Sequence, residues 1–113
     1  MDTNIIIYSV KQKINLLMEL KFFDGNAEPF LNRCVVEELY GLSKKNKSAK
    51  IGLEMFGKIE VVDGEGRGDD CILDSCLKYN LCLLSSDRNL LRRATDLNLK
   101  TLTLQDGRRI GWF

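Results

Sequence analysis

The chain has no histidine and only one proline, and its longest early apolar stretch is Ile5-Ile6-Ile7. The absence of histidine excludes Ser-His-Asp and Cys-His catalysis and every His-ligated zinc scheme. No apolar run approaches the ~18 residues of a membrane span, so no membrane partner is expected. The four cysteines, Cys34, Cys71, Cys76 and Cys82, show no C-x-x-C spacing, which argues against a zinc ribbon or a thioredoxin motif. Their apolar neighbours, as in Leu81-Cys82-Leu83-Leu84, predict small buried hydrophobes kept as reduced thiols. Neither charge sign dominates, with 17 Lys and Arg against 16 Asp and Glu, so the chain is no polybasic tail. Asp2 follows Met1 directly and no small-residue cleavage site appears, so a cytoplasmic protein is expected.

What is present is one domain's worth of sequence. At 113 residues and 44% apolar content, residues 1–113 form a single domain able to bury a core without disulfides or structural metals. Apolar spacing predicts a helix over Ile5 to Phe23, broken near Lys11 and ended by Gly25-Asn26. A short strand over Glu28 to Leu31 follows, then a helix capped by Asn32 and running to Leu42. Ser48 is expected to cap a further helix through Phe56, before a strand over Ile59 to Val62. Beyond the turn Asp63-Gly64-Glu65-Gly66-Arg67-Gly68, Asp69 or Asp70 opens a helix to Tyr79. Leu81 to Ser85 is a strand-length apolar run, Asp87 starts a helix to Leu97, and Lys100 to Leu104 is the last predicted strand. Strands alternating with helices predict an α/β fold with a central parallel sheet.

Carboxylates fall beyond the carboxyl ends of these strands, where open α/β sheets bind ligands. Asp2 precedes the first helix, Glu37 and Glu38 lie one turn into the second, Asp69 and Asp70 open another, and Asp87 follows the Leu81–Ser85 strand. Acids gathered within a few ångströms repel, so such a site needs protons or a cation. Oxygen donors without histidine or thiolate suit Mg²⁺ or Mn²⁺. A hard cation held by several acids is equipment for phosphodiester hydrolysis and needs no protein base. The alternative is that Asp69 and Asp87 are ordinary helix caps and Glu37 is solvated. The glycine-rich turn lacks the G-K-[ST] ending of a phosphate-binding loop, and its acids would repel phosphate. A phospho-acceptor receiver domain lacks its acceptor Asp and later lysine here.

Four blocks stand in order along the chain: Asp2-Thr3-Asn4, Val36-Glu37-Glu38-Leu39, Gly68-Asp69-Asp70-Cys71-Ile72-Leu73 and Ser85-Ser86-Asp87-Arg88-Asn89-Leu90. Together they resemble the signature blocks of the PIN domain nucleases, over nearly the whole chain. The resemblance implies a three-layer α/β/α sandwich and metal-dependent endoribonuclease activity with Mg²⁺ or Mn²⁺. It places the acidic ligands at Asp2, Glu38, Asp70 and Asp87. Asp69 with Ile72 matches the third block as well as Asp70 with Leu73 does, and Asp70 is preferred. Asp69 and Asp74 are further candidates for the metal, Asn4 and Ser85 for orienting the acids, and Glu37 is expected at the surface. The family carries an apolar strand before its first Asp, whereas only Met1 precedes Asp2 here, so the first strand is expected to be truncated. Another chain could supply the missing pairing, which makes a homodimer an expectation.

Charge along the chain is uneven. Residues 60–74 hold six acids and one arginine, residues 43–58 five lysines and one glutamate, and residues 86–109 six basic residues and three aspartates. Basic patches beside an acidic edge suit a phosphate backbone led across a metal. Arg88, Arg92 and Arg93 are the first candidates for RNA contacts, followed by Lys44, Lys45, Lys47 and Lys50. Arg108, Arg109 and Trp112 form a basic-aromatic tail suited to stacking on a base or to packing on the body. The expected activity is hydrolysis of single-stranded RNA, either rRNA or tRNA precursors in processing, or as a VapC-type toxin with an antitoxin partner. The alternative is a PIN-like RNA-binding or assembly module that has lost cleavage.

Overall fold

A single acid sets the start of the fold. Asp2 has extended backbone and accepts a hydrogen bond from the Ile5 amide at 3.3 Å, capping helix α1 (Thr3–Lys11). In this computed structural model, which describes all 113 residues, the helix breaks after Lys11 as its sequence predicts. Lys13 takes a left-handed conformation (φ 56°), and Asn15 caps α2 (Leu16–Phe23) by accepting from Met18 N at 3.1 Å. Strand β1 (Phe30–Asn32) leads into α3 (Arg33–Ser43) and α4 (Lys47–Met55). Asn46, rather than the expected Ser48, caps α4, because its side chain reaches the Ala49 amide at 3.1 Å.

The second half runs β2 (Glu60–Val62), α5 (Asp69–Lys78), β3 (Leu83–Leu84), α6 (Arg88–Asp96), β4 (Thr101–Gln105) and β5 (Arg109–Trp112). Gly68, with φ 57°, turns the chain into α5 in a conformation that favours glycine. Strand β5 is the element that the sequence analysis missed. It returns antiparallel to β4 through Asp106-Gly107, both at positive φ, which is the Asp-Gly hairpin signal. Tyr8 Oη donates to the Gly107 carbonyl at 3.0 Å and ties this turn to α1. The expected basic-aromatic tail is therefore a strand. Trp112 packs edge-on against Phe23, with ring centroids 5.2 Å apart, so its indole is engaged by the body.

The class is α/β with parallel strand pairing, as expected, and the strands form two hydrogen-bonded sets. Strand β1 pairs in parallel with β2, and β3 pairs in parallel with β4, which carries β5. Between β1 and β3 lies a largely apolar slot of about 280 Å³, lined by Phe30, Asn32, Leu81, Leu84, Leu102 and Met1 among others. The Asp2 amide donates to the Leu84 carbonyl at 3.4 Å, on the side of β3 that faces the slot. Burial of the Met1 ammonium lowers its pKa below the ordinary value. The core is continuous past this slot, joining Ile5 and Ile6, Leu39, Phe56, Ile72, Leu83, Leu90 and Leu91. A buried side chain such as Phe56 contributes roughly 1.5–3 kcal/mol through area removed from water. No helix is long and apolar enough to cross a membrane.

The expectation of four buried, reduced cysteines is corrected. Cys34 and Cys71 form a disulfide, with Cα atoms 6.5 Å apart although 37 positions separate them. They meet because α3 and α5 each carry one in the first turn, and no sequence spacing reveals that approach. Cys76 is free and buried, whereas Cys82 lies just outside β3 and is exposed.

Candidate functional site

Asp2, Thr3, Asn4, Cys34, Val35, Glu38, Gly68, Asp69, Ile72 and Asp87 line a mostly polar pocket of about 170 Å³. Its four acids come from the caps or first turns of α1, α5 and α6 and from the second turn of α3. Helix N-termini favour anionic side chains, which explains why three of the acids sit where they do without any ligand.

Asp2 is the best-held of the four, at 5% exposure. Its Oδ1 accepts from Ile5 N at 3.3 Å and its Oδ2 from Ser85 Oγ at 2.9 Å. Burial raises the Asp2 pKa above its ordinary value, and the nearby Asp87 charge adds to this. The Ser85 hydrogen bond, the Met1 ammonium and the Ile5 amide oppose the shift. Ser85 is fully buried and links two acids, because its Oγ also accepts from the Asp87 amide at 3.0 Å. Asp87 caps α6, its Oδ1 accepting from Asn89 N at 2.9 Å and Leu90 N at 3.3 Å. Glu38 and Asn4 are exposed at the rim.

The two aspartates of the third block separate in space. Asp69 lines the pocket, whereas Asp70 lies outside the lining and binds Arg93 Nη2 at 2.6 Å. Residues adjacent on a helix point about 100° apart, so only one can face the pocket. Asp74 accepts from Glu65 N at 2.7 Å and holds the preceding turn, away from the pocket. Glu37 binds Arg33, which also reaches Asp63 at 2.5 Å, in keeping with its expected surface position.

Of the basic candidates, Arg93 is occupied by Asp70, while Arg88 and Arg92 are exposed on α6 without an ion pair. Lys44, Lys45 and Lys47 are exposed around the α3–α4 junction, with Lys44 Nζ 5.6 Å from the Tyr40 ring centroid. Sequence reasoning missed Thr3 and Cys34 as pocket residues. The signal for Cys34 was its spacing of four from Glu38, which places both on one helix face.

The donor set is all carboxylate oxygen, the chemistry of a hard divalent cation. A buried Asp2 whose ionisation is opposed by desolvation and by Asp87 is also what a bound cation would relieve. No three of the acids are drawn together closely enough to enclose an ion in this conformation. An ion held by these acids would need side-chain movement, which the exposed Glu38 and Asp69 could supply.

Comparison with known proteins agrees with this geometry. The family model for the PIN like domain matches residues 1–107, leaving only β5 outside the match. Ribonuclease VapC9 of Archaeoglobus fulgidus is 26% identical over 114 residues, covering 96% of this chain and 84% of that protein. The structure of the PIN domain endonuclease Utp24 superposes with a TM-score of 0.79 at 24% identity, covering 99% of this chain and 89% of that one. A family-model match over nearly the whole length places the chain in the PIN-like domain family.

Proposed function

We propose that the chain is a nuclease: a Mg²⁺- or Mn²⁺-dependent endoribonuclease hydrolysing single-stranded RNA. The observation that carries this is the convergence of Asp2, Glu38, Asp69 and Asp87 on one pocket from positions up to 85 residues apart. These four are the proposed ligands, with Asp69 taking the third place in preference to Asp70. A divalent cation, when bound, supplies charge neutralisation at a scissile phosphate and polarises the attacking water. The chain's own residues do the rest. Ser85 holds Asp2 and Asp87 in register, Asn4 orients the rim, and the exposed Arg88 and Arg92 draw the phosphate backbone toward the acids. Lys44, Lys45 and Lys47 extend the basic surface on the α3–α4 side.

Its place is proposed to be cytoplasmic, with rRNA or tRNA precursors as substrates or as a VapC-type toxin bound by an antitoxin. The name of the A. fulgidus relative supports the toxin reading, and the superposition on an endonuclease domain supports a cutting role. A second copy pairing along the open edges of β1 and β3 would make a homodimer, which light scattering at micromolar concentration would detect. A non-cleaving RNA-binding module is the second reading, favoured by the dispersed acids and the divided sheet.

Cleavage of labelled single-stranded RNA with Mn²⁺, with EDTA, and with Asp69→Asn, Asp70→Asn and Asp87→Asn tests the assignment. Metal-dependent cutting should vanish in Asp69→Asn and Asp87→Asn and survive in Asp70→Asn. Loss in Asp70→Asn alone would reverse the choice between the two aspartates. No cutting by the folded protein in any metal would leave the binding module.

A further inference from the structure

The Cys34–Cys71 bond joins the first turns of the two helices that carry Glu38 and Asp69. Glu38 lies four residues beyond Cys34 on the same face of α3, and Asp69 lies two residues before Cys71 on α5. Cys34 is itself part of the pocket wall, half-buried, while Cys71 is fully buried with its sulfur 3.6 Å from the Gly64 carbonyl. We propose that this pair is a reversible thiol–disulfide modification site whose state sets the spacing of the acids across the pocket.

The chemistry follows from which sulfur can be reached. A dithiol reductant enters through the pocket, and one of its thiolates attacks the Cys34 sulfur. The Cys34–Cys71 bond breaks, the electron pair leaves with Cys71, and Cys71 takes a proton. The second thiol of the reductant then attacks the mixed disulfide, releasing Cys34 as a thiol and closing the reductant into a cyclic disulfide. One protein disulfide and one dithiol become two cysteine thiols and one reductant disulfide, a balanced two-electron exchange. Because four acids ring the approach, the matching reductant is an uncharged dithiol rather than an anionic thiol.

Reduction loosens the pocket without unfolding the chain. The buried Asn32 amide donates to Ser75 Oγ and ties the start of α3 to the middle of α5 independently of the disulfide. Val35 and Ile72 remain buried at the pocket floor. What is released is the end of the α3–α5 contact that carries the acids, so Glu38 and Asp69 lose a fixed separation. Groups that orient metal ligands directly change affinity by roughly 10–100-fold, and a brace acting through two helices belongs at the low end of that range.

The test compares the oxidised chain, the reduced chain freed of reductant under anaerobic conditions, and the Cys34→Ser/Cys71→Ser double variant. Alkylation of the unfolded, unreduced protein should label two of the four cysteines, Cys76 and Cys82; labelling of all four would overturn the proposal. Mn²⁺ affinity by calorimetry should fall roughly tenfold on reduction and in the double variant. Reoxidation should restore the first and leave the second unchanged. Amide exchange over Arg33–Ser43 and Asp69–Lys78 should quicken in both. Equal affinity and equal exchange in the oxidised and reduced chains would overturn the proposal. The affinity arm rests on the cation-site reading above, and absence of Mn²⁺ binding in every form would be a failure of that reading. Exchange would then decide alone, faster exchange on reduction upholding the redox site and unchanged exchange refuting it.

Discussion

Replacing Ser85 with alanine isolates the link between the two best-held acids. The Ser85 hydroxyl donates to Asp2 Oδ2 at 2.9 Å and accepts from the Asp87 amide at 3.0 Å, in a fully buried position. A hydrogen bond to a charged group is worth about 1.5–3 kcal/mol, and an orphaned amide adds about 1 kcal/mol where it is only half-buried. Partial hydration of the Asp87 amide offsets some of this, so Ser85→Ala should lose about 2–3 kcal/mol near neutral pH. The loss should also depend on pH, with a sign set by Asp2. The folded Asp2 pKa lies above its unfolded value, so ionised Asp2 costs stability, and that cost disappears as pH falls through the raised folded pKa. Removing Ser85 takes away a group that lowers this pKa, so the cost of ionised Asp2 grows and its titration moves further upward. The difference between wild type and Ser85→Ala should therefore be largest above the folded Asp2 pKa and shrink on acidification. Urea denaturation at a series of pH values measures it. A difference below about 0.5 kcal/mol, or one that does not change as Asp2 protonates, would refute the Ser85–Asp2 coupling.

Asp87 separates capping from chemistry: Asp87→Asn should fold as stably as wild type, while Asp87→Ala should lose about 1 kcal/mol through the lost α6 cap, and both should stop cutting RNA. Gly107→Ala should destabilise the β4–β5 hairpin by about 1–3 kcal/mol. Its φ is +71° and a Cβ there would meet Tyr8 Oη at 2.7 Å, so a fall in melting temperature without change in Mn²⁺ affinity is expected. Loss of the Cys34–Cys71 bond frees a loop spanning 37 positions, which in the chain-entropy account costs up to about 4 kcal/mol. Thermal unfolding of the reduced chain checks that value. Asp70→Asn, which breaks only an exposed pair with Arg93, should leave the melting temperature unchanged.

The amino-acid sequence by itself determined the elements whose signals are local. Apolar periodicity placed the break after Lys11, and Asp87 marks the start of α6 because its side chain satisfies amides within one turn of it. Asn32 also stands at the start of α3, but its side chain makes no cap bond there and donates to Ser75 instead. The absence of histidine and the order of the acidic blocks likewise pointed to oxygen donors, and three of the acids expected there, Asp2, Glu38 and Asp87, line one pocket. The tertiary structure decided which neighbour faces inward. Asp69 and Asp70 are equivalent as letters, and only the rotation of α5 against α3 and α6 sends one to the pocket and the other to Arg93. The same long-range packing brought Cys34 to Cys71, drew Trp112 onto Phe23, and left β1 and β3 in separate sheets. Such contacts join residues tens of positions apart, where no periodicity operates and the approach of whole helices and strands sets the distance.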